Sequence, residues 1–191
     1  DEPHAFFLAV KDGQVVGRIL VGVNTKLNRE KGKNEGYISL FESIEEQAVA
    51  NSLFETATAW LRERGLTRVV GPVSPTNGDD NRGILIKGFD GPPVLMNSYN
   101  PPYYEQLFVD YGFAKHMDLF AYHFDVKQLD EERYGRVVAY AMKKFGFRID
   151  RFDRRQMERE IRDIKKILDL AMPASWEHLT PPSLAEIRAE V

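Results

Sequence analysis

Apolar and polar positions alternate through the first forty residues with the two-residue period of half-buried strands. Residues 6–10 and 14–23 are β-rich runs joined by Lys11-Asp12-Gly13. Asp-Gly between apolar runs signals a hairpin, because both central turn residues must accept positive φ. Residues 24–35 are polar and contain glycine, so they read as a loop before a third strand over 37–41. The period then changes. Val49, Ala50, Leu53, Phe54, Ala57, Trp60 and Leu61 recur at three and four, one broad stripe of an amphipathic helix. Ser43 with Glu46 three residues on predicts a capping box at its start, and Gly65 its stop. A short strand over 67–71 follows. Strand, helix, strand in this order predicts a crossover onto a parallel neighbour.

Residues 71–104 are too rich in glycine and proline for a long helix, and 84–86 and 94–96 read as short strands between turns. A helix is expected over 101–111, with Asn100 as cap and Pro101 at its first position. Gly112 ends it, and residues 114–125 alternate as a long final strand would. Beyond this, 130–145 reads as a helix closed by Gly146, and 147–151 as a short strand. Asp153 caps a further helix, and Thr180-Pro181-Pro182 introduces a last one.

The chain has 191 residues, 43% hydrophobic and 29% charged, with a formal net charge of −3. That suits one well-buried domain and part of a second, and advertises neither nucleic acid nor an anionic membrane as partner. No run approaches the ~20 apolar residues of a membrane span. Cysteine is absent, which removes disulfides, thiolate metal sites and a cysteine nucleophile, and suits a cytoplasmic setting. The four histidines form no metal-ligand pair; His116 and His123, seven apart on the expected strand, fall on opposite faces. No metal site is expected. The arginines of 148–162 alternate with carboxylates as on a solvated helical face.

A meander, a crossover helix, a strand and a short helix running from Tyr103-Tyr104-Glu105 to Tyr111-Gly112-Phe113 resemble the GNAT acyltransferase superfamily. A narrower resemblance is to a group of bacterial GNAT-like proteins about twice this length. It is carried by Val16-Gly17-Arg18-Ile19, Phe41-Glu42-Ser43, Gly71-Pro72 with Ser74-Pro75, Gly88-Phe89-Asp90 with Pro92-Pro93, and Tyr99-Asn100-Pro101-Pro102-Tyr103-Tyr104. The resemblance implies a mixed, mainly antiparallel α/β sheet flanked by helices, with extra helices at the C-terminus. It implies a GNAT-like core over 1–126 lacking its usual opening strand and helices, then a connecting helix over 127–146. Residues 147–191 read as the strand-helix-helix opening of a second unit, able to complete the first sheet. The chain therefore reads as a fragment of a longer protein, forming a homodimer or a tandem of two units.

The implied activity is transfer of an acetyl or acyl group from acetyl-CoA or acyl-CoA to a small-molecule amine. Glu42 would be general base and Tyr104 general acid, with Ser43 and Tyr103 at the cofactor and Tyr99, Asn100 and Asp79 lining the substrate pocket. Each residue also has a local reading: Glu42 supports the helix start, and the tyrosines anchor buried rings through their hydroxyls. One departure stands out. Members that bind coenzyme A cradle its pyrophosphate on a glycine-containing helix start, whereas ESIEEQAVANSL has no glycine and carries Glu42, Glu45 and Glu46. That favours an alternative: a non-catalytic half, or a small-molecule-binding module, packed on a second unit.

Overall fold

The computed structural model describes residues 2–74 and 81–191, which form two compact units. The first unit, Asp1–Asp118 with Ala174–Thr180, is built on four strands in the order β1-β2-β3-β4. β1 (His4–Lys11) and β2 (Gln14–Gly22) form the expected hairpin. Asp12 and Gly13 at its tip have φ of 52° and 78°. β3 (Glu35–Ser43) lies antiparallel to β2, and β4 (Arg68–Val70) is parallel to β3. The crossover between these parallel strands is the helix α2 (Gln47–Arg62). The α/β architecture and the mixed, mainly antiparallel sheet are as expected, and the C-terminal helices are present.

Helix α2 buries Val49, Ala50, Leu53, Phe54, Ala57 and Leu61, the stripe read from its period. Glycines on the strands let it approach. A Cβ on Gly17 would stand 2.9 Å from the Leu53 side chain, and one on Gly36 would overlap that of Leu61. At the middle of the helix, Phe54 stacks on Phe41 with centroids 4.8 Å apart. Around this pair stand Tyr104, Phe108, Tyr111 and Phe113. The same aromatic cluster therefore joins the sheet, α2 and α3 (Tyr104–Tyr111).

Four local expectations are corrected. The predicted loop 24–35 contains a short helix, α1 (Thr25–Lys31), capped by the Asn24 side chain on the Leu27 N–H and closed by Gly32 at φ 63°. Ser43 does not cap α2. It still belongs to β3, its hydroxyl donates to the Ile44 carbonyl, and Glu46 turns to Lys11 instead. Helix α3 starts at Tyr104, not Pro101, because the Asn100 amide is occupied by the backbone of Leu85. Residues 84–86, 94–96, 114–125 and 147–151 form no strands. An alternating sequence makes a strand only where a neighbour satisfies its backbone groups, and among the described residues the sheet draws on those between His4 and Val70.

The second unit, Leu119–Pro173 with Pro181–Val191, contains α4 (Glu131–Phe145), α5 (Met157–Ala171) and α6 (Leu184–Glu190). Asp130 caps α4, Gly146 closes it, and Ser183 with Glu186 makes a capping box on α6. Asp153 caps only a 3₁₀ turn ahead of α5. Arg188 of α6 grips Glu158 of α5 through two nitrogens.

One charge cluster fixes the start of β3 against β4. Glu35, 7% exposed, accepts from Lys33 Nζ and Arg68 Nη1, each at 3.2 Å. Lys33 is itself 15% exposed. Removing the carboxylate strands a poorly solvated ammonium. Glu35→Ala is expected to cost about 3 kcal/mol in urea unfolding, and Lys33→Met in the same chain to recover most of it. Equal stability of the single variant and the parent would show that Glu177, 3.6 Å from Lys33, is a sufficient partner.

Candidate functional site

The parallel strands β3 and β4 pair only from Glu35 to Tyr37 against Arg68 to Val70. One further bond, from the Val73 N–H to the Ile38 carbonyl, follows; from there to Ser43, among the described residues, β3 pairs with β2 alone. Gly71 makes this parting workable. Its φ is +151°, and a Cβ there would lie 2.6 Å from the Ile38 carbonyl oxygen. The parted end of β3 presents Glu42.

Helix α3 closes on that end through two consecutive tyrosines. Tyr103 donates its hydroxyl proton to the Ser43 carbonyl at 2.8 Å. The Tyr104 hydroxyl accepts from the Ser43 N–H at 3.1 Å and donates to Glu42 Oε2 at 2.8 Å. Both peptide groups of Ser43 are thereby clamped from the same helix start. Gln47 adds a tie between α2 and α3 by donating to the Leu107 carbonyl. The Tyr104 ring is 3% exposed and packs edge-on against Phe41. On the other side of Glu42 stands Arg18, its cross-strand partner in β2, with Nη2 3.7 Å from Oε1. Glu42 remains 58% exposed. The outcome is a solvent-reaching carboxylate whose inner oxygen is held by a buried phenol.

Burial, reinforced by the Glu42 carboxylate, raises the Tyr104 hydroxyl well above the ordinary tyrosine value. The folded state thus holds this proton more tightly than the unfolded chain does. The corresponding stability is full below about pH 10 and is lost as the pH climbs past the unfolded-chain value. Tyr104→Phe leaves the Ser43 N–H and one Glu42 oxygen without this partner. It is expected to cost about 2 kcal/mol at neutral pH. The loss should shrink in alkali, as thermal unfolding between pH 7 and 11 would show; a constant loss would mean that the proton carries none of the effect.

The residues expected at the site divide into groups. Glu42, Ser43, Tyr103 and Tyr104 are brought together. The Ser43 and Tyr103 hydroxyls, however, are both engaged by the chain's own carbonyls. Tyr99 and Asn100 lie on a separate open groove with Phe89, Pro101 and Pro102. Asp79 lies outside the described residues. Sequence reasoning missed Arg18 as a site residue; its pairing with Glu42 is set between β2 and β3, across the connection that holds α1 and beside a register shift, so no local turn signal points to it. At the α2 start, no side chain caps the helix and its first turn has no acidic residue, while Glu46 pairs with Lys11. Among the described residues, no group of three or more His, Asp or Glu side chains could hold a metal ion. Nor is any described helix long and apolar enough to cross a membrane.

Comparison with known proteins gives two relatives. The chain is 32% identical over 187 residues to a bacterial ceramide synthase of Caulobacter vibrioides, an alignment covering 95% of this chain and 47% of that protein. It is 38% identical over 117 residues to the protein YghO of Escherichia coli K12, covering 61% of this chain and 30% of that protein. The chain is homologous to both, and spans less than half the length of each. No protein-family profile matches it, and no solved structure does.

Proposed function

We propose that this chain is part of a GNAT-like N-acyltransferase that joins an acyl group to the amine of a long-chain, lipid-forming acceptor. The observation that carries the proposal is the homology, over 95% of the chain, to a ceramide synthase. Ceramide is the amide of a long-chain amino alcohol, so its synthesis is an N-acylation. The exposed carboxylate at the parted end of β3 supplies the chemistry such a reaction needs.

In this reading the acyl donor is a thioester of the coenzyme A class. The acceptor nitrogen attacks the thioester carbonyl, a C–N bond forms and the C–S bond breaks. Glu42 removes the proton that the nitrogen sheds, and the sulfur leaves as thiolate to take a proton from solvent. Tyr104 positions Glu42 and is not itself the acid, since its proton already points at the carboxylate. Arg18 holds the other oxygen. The uncapped start of α2 is where the donor's phosphates would meet backbone N–H groups. Lys11 offsets Glu46 there, while Glu42 and Glu45 remain opposed to an anion.

That opposition favours a second reading, in which this part carries no chemistry and packs on a unit that does. The two are separated by incubating the chain, and the longer protein containing it, with a long-chain amine and acyl-CoA donors of several lengths. Amide is followed by mass spectrometry. Amide from the chain alone supports the first reading. Amide from the longer protein alone, unaffected by Glu42→Gln, supports the second.

A further inference from the structure

Residues 81–103 form one proline-rich segment that leads into α3. It is tied across by Asn81 N–H to the Met96 carbonyl, by the Ser98 hydroxyl to the Arg82 carbonyl, and by Asn100 to Leu85. Within it, Phe89, Tyr99, Asn100, Pro101 and Pro102 line an open groove of about 380 Å³. Its chemistry is narrow. The prolines bring no N–H. The Asn100 Oδ1 accepts from the Leu85 N–H at 2.6 Å, and its Nδ2 donates to the carbonyls of Leu85 and Pro101. Asn100 therefore shapes the groove and has no donor left for a ligand. The other side-chain polar group in the lining is the Tyr99 hydroxyl, on a residue 52% exposed. A charged or sugar-like ligand would lose hydration here without replacement. A hydrocarbon chain would not.

The groove also lies beside the candidate chemistry. Pro102 precedes Tyr104 by two residues, so their Cα atoms are within about 8 Å, and the Tyr104 hydroxyl touches Glu42.

We propose that this groove seats the hydrocarbon chain of a single-chain amphiphile and sets the chain length the site accepts. The inference rests on the N-acyltransferase reading for the choice of amphiphile, a long-chain amine or a long-chain acyl thioester. Either would present the same alkyl chain. Phe89, Tyr99, Pro101 and Pro102 are then specificity determinants, and Glu42 stands outside the groove.

The test is a chain-length series on the full chain, by calorimetry or thermal shift and below micelle-forming concentrations. One arm uses n-alkylamines from butylamine to dodecylamine, the other acyl-CoAs from acetyl to lauroyl. Affinity in one arm is expected to tighten with length, by up to about fourfold per methylene at full burial. A slope in the amine arm assigns the groove to the acceptor, and a slope in the thioester arm to the donor. Tyr99→Asp and, separately, Phe89→Ser should flatten that slope, whereas Tyr99→Phe should keep it. Two outcomes overturn the proposal: both arms flat in the parent chain, or a slope unchanged in a Phe89→Ser chain that still unfolds cooperatively. Glu42→Gln tells this failure from that of the proposed function. If turnover survives Glu42→Gln while the slope persists, the catalytic reading falls and the groove stands. If turnover is lost but no slope exists, the groove alone falls.

Discussion

Glu42→Gln is expected to lower amide formation a hundredfold or more while leaving thermal unfolding almost unchanged. The two side chains are nearly the same size. The glutamine oxygen still accepts from the Tyr104 hydroxyl, so the contact now made at 2.8 Å has a substitute. The ring packing of Tyr104 against Phe41 is untouched. What disappears is a group that can take a proton from an attacking amine. Positioned bases contribute about 10²–10⁴ in rate. The loss should fall on kcat with little change in KM for the donor. Arg18 is half exposed and its 3.7 Å pairing with Glu42 is solvated, so losing that pair has a small structural effect. A loss of only a few fold, or a melting temperature that falls in step with activity, would reduce Glu42 to a structural partner of Tyr104.

Phe54→Ala should be among the most damaging substitutions to stability. Phe54 is fully buried at the centre of α2. It stacks on Phe41 at 4.8 Å and 16°, and meets Phe108, Tyr111 and Phe113 at centroid distances of 4.8, 5.0 and 5.1 Å. Truncation removes its transfer energy and leaves a cavity walled by rigid rings that collapse poorly. The expected loss is about 4 kcal/mol in chemical denaturation, a large part of a typical domain's 5–15 kcal/mol. Phe54→Leu should lose distinctly less. Similar losses for both would show that the rings repack around whatever is there. Because Phe41 also packs on Tyr104, the alanine variant should loosen the Glu42 environment as well.

What the sequence revealed, and what it hid, follows a physical division. Hairpin and crossover helix were legible because each is specified locally: Asp12-Gly13 accepts positive φ, and Leu53, Phe54, Ala57 and Leu61 fall on one stripe. Glu42, Ser43, Tyr103 and Tyr104 were singled out by motif resemblance, and the structure does bring them together. How they meet was not legible. The Ser43 hydroxyl was expected to cap α2 and bonds Ile44 instead, because β3 reaches two residues further than its apolar run suggested. Asn100 was read as a helix cap, but its amide found Leu85, fifteen residues back. Short polar side chains choose among nearby backbone partners, and tertiary approach decides the choice. The 114–125 run failed for a different reason: alternation reports a strand's pattern but not whether a neighbour exists to pair with it.

The clamp of Tyr103 and Tyr104 on Ser43 spans about sixty residues of chain. The hairpin and α2 are held mainly by contacts near in sequence, whereas this closure must first overcome the entropy of a long loop. In refolding, therefore, burial of Phe41 and Phe54 should precede the quenching of these tyrosines, as stopped-flow fluorescence of a chain with both Trp60→Phe and Trp176→Phe would report. Simultaneous signals would place the clamp inside the folding nucleus. With the sequential order, a newly made chain would hold its sheet before Glu42 acquires its phenolic partner, and a locally opened one would lose that partner while the sheet persists. Catalytic competence would then be the last property gained in folding and the first surrendered on heating.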